Sequence, residues 1–308
     1  MPNIAGLDVS LVGLGCNNFG MRCDQAQSTA VVDASLDAGI NFFDTADSYG
    51  GGRSEEFLGR ALGARREDVV IASKFGSPTA DGGGASPDYV RGAVERSLRR
   101  LGTDRIDLYQ IHFPDAQVPI GETLGALDEL VRAGKVRAIG CSNFNSAQLQ
   151  EAADATTAAG TARFVSVQNE FSLLQRRPEK NVLAACERLE MGFLPYFPLA
   201  SGLLTGKYRQ GEEAPAGTRI ASMPEERRAG VLSDDNLDTV ARLQKFATSR
   251  GHTLLELAMS WLATRPAMTS IIAGATRPEQ VRANAAAVGW RLDASDLAEV
   301  DAIVPPPG

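Results

Sequence analysis

Residues 106–143 read IDLYQIHFPDAQVPIGETLGALDELVRAGKVRAIGCSN. The run IDLYQIH (106–112) lacks the strict alternation of a half-exposed strand, so it reads as a strand buried on both faces. GETLGALDELVRAGK (121–135) has a helical pattern that stops at Gly134, and VRAIGCSN (136–143) is again a strand. Strand, helix and strand in this order form a parallel βαβ unit. The same unit recurs on either side. The runs LVGLG (11–15), INFFDTA (40–46), DVVIASKF (68–75), FVSVQNE (164–170), FLPYFPL (193–199) and TSIIAGA (269–275) complete the series. DYVRGAVERSLRRLG (88–102) is one of the helices between them, with Val90, Val94, Leu98 and Leu101 on one face and Gly102 as its stop. From the second strand to the seventh the spacing stays near about thirty residues.

Eight such units predict a (β/α)8 TIM barrel, a single domain over residues 1–308. The rival is an open doubly wound sheet, which needs a dinucleotide fingerprint after its first strand. GLGCNNFG (13–20) fails that pattern because Asn18 stands where glycine is required. SGLLTGKY (201–208) resembles a phosphate loop but is one residue short between its glycines and ends in Tyr208. Two features interrupt the regular spacing after the seventh strand. Residues 204–233 are polar and read as a long loop over one end of the barrel, and an extra helix over 234–249 precedes one at 253–265. The closing VPPPG reads as a frayed tail.

The formal net charge of −7 argues against general affinity for nucleic acid or an anionic membrane surface. The four cysteines, Cys16, Cys23, Cys141 and Cys186, have no metal-binding or redox spacing and read as free thiols. With no apolar stretch long enough to span a bilayer and no leader pattern at the start, the sequence points to a cytoplasmic protein.

Barrel chemistry sits at the carboxyl ends of the strands. The second strand ends at Asp44, the third at Lys74, the fourth at His112, the fifth at Ser142 and Asn143, and the sixth at Gln168 and Asn169. Tyr49 follows Asp44 in the glycine-rich loop DSYGGG. A lysine beside an aspartate forms an ion pair, and a tyrosine over that lysine is expected to have its pKa lowered from the usual ~10. Such a tyrosine is a general acid for a carbonyl oxygen gaining negative charge, with His112 orienting the carbonyl or assisting proton transfer. The second histidine, His252, stands at a helix start and reads as structural. No residues have metal-ligand spacing and there is no G-x-S-x-G elbow. Carbonyl chemistry of this kind needs a hydride or electron source.

DTADSYGGGRSEEFLG (44–59), LGTDRIDLYQIHFPD (101–115), GKVRAIGCSNF (134–144) and IIAGATRPEQVRANAAA (271–287) together resemble the aldo-keto reductase family, in order and over nearly the whole chain. The resemblance implies a (β/α)8 barrel that binds NADP(H) without a Rossmann domain and acts on a small carbonyl or alcohol. It implies a catalytic tetrad of Asp44, Tyr49, Lys74 and His112, with Tyr49 the proton donor. Ser142, Asn143 and Gln168 match the residues that hold the nicotinamide amide, and Phe197 the ring against its face. Pro198, Leu199, Ser201, Gly202, Leu203 and Lys207 match a pyrophosphate-binding turn, and Arg219 a lid arginine. Gly274, Thr276 and Arg277 match the 2′-phosphate region, with Gln280 and Asn284 at the adenosine. The chain departs from the family in lacking the tryptophan many members carry in the first loop, and in having Phe113 where some have tryptophan. Independently, a helix opening near Pro278 presents free amides and a positive dipole end to a phosphate, with Arg277 beside it.

Overall fold

The apolar runs become the staves of a closed barrel. In the computed structural model, which describes residues 1–308, a small antiparallel pair, β1 (Asn3–Ile4) and β2 (Leu7–Asp8), precedes them. Eight parallel strands follow: β3 (Val12–Gly15), β4 (Phe42–Asp44), β5 (Val70–Phe75), β6 (Ile106–Ile111), β7 (Val136–Ser142), β8 (Phe164–Glu170), β9 (Gly192–Tyr196) and β10 (Ile271–Gly274). β10 closes onto β3 with Ile271 opposite Val12 and Gly274 opposite Gly15. β5 and β6 are buried at every position, which is what strands covered on both faces require. The fold is therefore the (β/α)8 barrel read from the spacing.

The strands alternate with α1 (Gln25–Asp37), α2 (Arg53–Leu62), α3 (Pro87–Leu101), α4 (Ile120–Arg132), α5 (Ser146–Ala159) and α6 (Val182–Arg188). Their ends follow local chemistry. Ser86 caps α3, Pro87 opens it, and Gly102 ends it in the left-handed conformation at φ 63°. After β9 come α7 (Glu225–Val231), α8 (Asp234–Ser249) and α9 (Leu254–Ala263), and after β10 come α10 (Pro278–Ala286) and α11 (Ala294–Ile303). The extra helix α8 spans the residues read from the sequence. The preceding segment is not loop throughout, since α7 forms within it with no residue buried. It is anchored by Ile220 at 0% exposure and by Tyr208. The tail is less frayed than expected at its start, because the Val304 N–H donates to the Val300 carbonyl and the Val304 carbonyl accepts from Arg176.

Apolar burial is split in two. A cluster of 66 buried residues lies largely between strands and helices, while one of 10 fills the barrel interior. In the smaller cluster Ile4, Leu7 and Val9, from β1, β2 and the residue after them, pack on Phe42, Leu108 and Leu194 of the strands. The hairpin is thus a plug at the amino-terminal end of the barrel. Ala5 and Gly6 make its turn, both at positive φ (47° and 88°), as a two-residue hairpin demands.

Candidate active site

At the other end, three strands deliver ionisable side chains to one point. Asp44 ends β4, Lys74 lies in β5, and His112 follows β6 with its N–H donating to the Phe75 carbonyl at 2.8 Å. Lys74 Nζ donates to Asp44 Oδ2 at 2.6 Å, to the Thr45 carbonyl at 2.9 Å and to the Tyr49 hydroxyl at 3.4 Å. The other carboxylate oxygen of Asp44 accepts from Gln168 Nε2 at 2.8 Å and Gln110 Nε2 at 3.4 Å. Tyr49 reaches Lys74 because the chain turns back through glycines after it. Gly50 sits at φ 60°, and a Cβ there would stand 2.9 Å from the Phe19 carbonyl oxygen. The Tyr49 and His112 rings meet edge to face at 5.7 Å, and Phe113, 51% exposed, stacks on His112.

The electrostatics correct one expectation. Burial raises the Tyr49 phenol above its ordinary value, Asp44 adds to the rise, and Lys74 opposes both without cancelling them. The lysine's charge is shared with Asp44, so the phenol stays protonated rather than poised toward phenolate. Burial works against the charge on Lys74 too, but Asp44 and Tyr49 more than offset it and hold its pKa above the usual value. Burial, then the Lys74 charge, depresses His112 to about 3, so its imidazole is neutral near pH 7. Behind the site, burial and Glu55 raise the Asp47 carboxyl to about 7.

Tyr49, Asp44 and His112 face a cleft of about 1110 Å3 that continues along the barrel mouth to α10. Lys74, fully buried, stands behind Tyr49. The Ser142 hydroxyl donates to the Gln168 carbonyl at 2.7 Å, and Asn143, at φ 63°, donates to the His112 carbonyl at 2.9 Å. Phe197, Ala200 and Ser201 all have positive φ (52°, 46° and 59°), strain of the kind found where backbone is shaped around a ligand. Pro198, Leu199 and Gly202 belong to that same turn and line the cleft. Leu203 does not, since it is 1% exposed and its side chain is in the core. Past the turn, Lys207, Arg277 and Gly274 line the cleft, and Thr276 donates to Gln280 Oε1 through both N–H (2.8 Å) and hydroxyl (3.1 Å). Asn284 lies on α10 alongside them. Burial, Arg22 and Arg277 depress the Lys207 pKa. No carboxylate pairs with Arg22, Lys207, Arg219 or Arg277, so this end of the cleft is suited to an anion.

Two cleft residues, Arg22 and Tyr196, gave no sequence signal, whereas Arg219 lies over the cleft where the family resemblance implied a lid arginine. Arg22, in the loop after β3, donates to the Gly217 carbonyl at 2.6 Å, and Arg219 donates to Asn17 and Asn18 at 3.1 Å each. These bonds strap residues 217–219 across the cleft, with Arg219 over the Phe197 ring at 5.2 Å. Their partners are some two hundred residues apart in sequence, beyond any local pattern. Tyr196, one residue before Phe197, also faces the cleft and donates to Asn143 Oδ1 at 2.8 Å. His252 stands apart, stacked on Trp290 at 4.1 Å.

The family model described as Aldo/keto reductase family matches residues 11–305. An uncharacterized oxidoreductase of Bacillus subtilis, YrpG, is 36% identical and covers 98% of this chain and 94% of its own. A probable voltage-gated potassium channel subunit beta of Arabidopsis thaliana is 35% identical over 92% of this chain and 89% of its own. The aldo-keto reductase yakc [NADP(+)] of Schizosaccharomyces pombe is 33% identical over 97% and 92%. Among solved structures, the glycerol dehydrogenase of Gluconobacter oxydans superposes with a TM-score of 0.84 at 30% identity, covering 100% of this chain and 96% of that one.

Proposed function

The chain belongs to the aldo/keto reductase family, and we propose that it reduces an aldehyde or ketone to the alcohol, or runs the reverse oxidation, with NADP(H) as its cofactor and Tyr49 as general acid. The observation that carries this reading is the Tyr49 hydroxyl, 3.4 Å from a lysine that is ion-paired at 2.6 Å to a buried aspartate, at the wall of a cleft with four unpaired cations. Bound in the cleft, NADPH would supply hydride for the carbonyl carbon. Tyr49 gives its proton to the carbonyl oxygen, and the Lys74 ammonium stabilises the phenolate left behind. Neutral His112 holds the carbonyl oxygen by a hydrogen bond. Asp44 keeps Lys74 charged and in place.

The residues present fit NADP(H) on their own chemistry. Arg277 and the amino end of α10 suit a 2′-phosphate, and Lys207 with the strained turn at 197–202 suits the pyrophosphate. Gln168, whose Nε2 is committed to Asp44, has its side-chain Oε1 left to accept from the nicotinamide amide. Tyr196, held by Asn143, shares the wall with Phe197 as a second ring for the nicotinamide face.

Tyr49→Phe tests the proposal. Turnover, followed as loss of NADPH absorbance with an aromatic aldehyde, is expected to fall roughly a hundredfold or more while NADPH binding persists. Unchanged turnover would sink it. The second reading is a nucleotide-sensing subunit with little turnover, prompted by a relative whose name is that of a channel subunit rather than an enzyme. Steady NADPH consumption by the wild-type protein decides between the two.

A further inference from the structure

We infer that Ser77 is a positioning residue that fixes His112 as the Nε2–H tautomer, so that the imidazole offers an N–H donor to the carbonyl oxygen in the cleft. The inference rests on the reading of His112 as the residue that holds that oxygen, and it adds what sets its proton.

Ser77 Oγ lies 2.9 Å from His112 Nδ1, and both side chains are buried. The hydroxyl makes no other hydrogen bond, and no carboxylate approaches Nδ1. Two arrangements are open to this pair. If Nδ1 carried the proton, it would donate to Ser77, and the serine hydrogen would be left without an acceptor in a site that is 8% exposed. If Nδ1 is bare, Ser77 donates to it and both groups are satisfied with one bond. An unmade hydrogen bond at a buried hydroxyl is the more costly choice, so the second arrangement prevails. The proton then sits on Nε2, which makes no hydrogen bond to the protein, on a ring that lines the cleft.

The backbone keeps Ser77 where this requires. Gly76, at φ 100°, accepts from the Gly84 N–H at 2.9 Å, and a Cβ on it would stand 3.3 Å from the Gly84 carbonyl oxygen. The His112 carbonyl accepts from Asn143, which fixes the backbone from which the ring extends. Because His112 is neutral near pH 7, tautomer rather than charge decides whether it is donor or acceptor toward the cleft.

Nitrogen-15 NMR of the cofactor-free protein with labelled histidine reads the tautomer directly. The chain has only two histidines, and His252→Gln assigns the other set of signals. At neutral pH the wild type is expected to show Nε2 protonated and Nδ1 bare. Ser77→Ala is expected to bring in the other tautomer, and Ser77→Thr, which keeps the hydroxyl, to restore the wild-type spectrum. In turnover, Ser77→Ala should lower kcat/KM for the carbonyl roughly tenfold with NADPH affinity unchanged, and Ser77→Thr should recover it. A proton on Nδ1 in the wild type, or an alanine variant with wild-type spectrum and kinetics, overturns the assignment. The spectrum needs no turnover, so it judges Ser77 even if Tyr49→Phe defeats the carbonyl-reduction reading.

Discussion

The two ends of the barrel are built on opposite principles. At the amino-terminal end Ile4, Leu7 and Val9 fill the bore with hydrocarbon, and the buried Ser270 hydroxyl beside them is satisfied by the Ser10 carbonyl. At the carboxyl-terminal end Asp44, Lys74, Gln110 and Gln168 occupy the same bore with charge and amide, each depending on the others for its hydrogen bonds. Hydrophobic packing tolerates small changes in shape, whereas a buried ion pair fails as a unit when one partner is removed. One end is therefore expected to govern stability alone, and the other stability and turnover together.

Lys74→Met is the hardest test of that contrast. It leaves Asp44 buried without its cation and is expected to lower the free energy of unfolding by about 3–5 kcal/mol, read by urea denaturation, and to abolish turnover. A loss smaller than that of a plug truncation would break the comparison. Asp47→Asn comes next and has the opposite sign. A carboxyl whose folded pKa is raised to about 7 gives stability that is complete below the unfolded value near ~4 and is lost as pH rises toward 7. Removing it should therefore stabilise the protein at pH 8, by up to about 4 kcal/mol, and change little at pH 4. Equal gains at both pH values would mean that Asp47 is not held protonated. Leu7→Ala, at the plug, should lower stability by about 2–3 kcal/mol with kcat unchanged, measured by thermal melts and steady-state kinetics on the same samples. A fall in kcat there would show that the two ends are coupled.

The same contrast explains what the sequence made legible. The strands could be read because burial on both faces demands uninterrupted apolar runs, and β6 shows this at every position. Asp44, Lys74 and His112 could be placed because strand ends are fixed once the strands are known. The plug was missed because two strands of two residues each carry no periodicity. The strap was missed because Arg22 and Gly217 meet only through the fold, and α7 because its residues face no core. The direction of the Tyr49 shift depended on how far burial outweighs a lysine already shared with Asp44, which is a matter of three-dimensional distance rather than of residue type.

The plug also bears on proton traffic. With Ile4, Leu7 and Val9 sealing the far end, and Lys74 walled in behind Tyr49, solvent meets the phenol only from the cleft. On the proposed reading, a proton that Tyr49 gives up is replaced through the same doorway by which the product departs. Refilling the acid and emptying the pocket would then share one exit, so a product slow to leave would also delay the next proton.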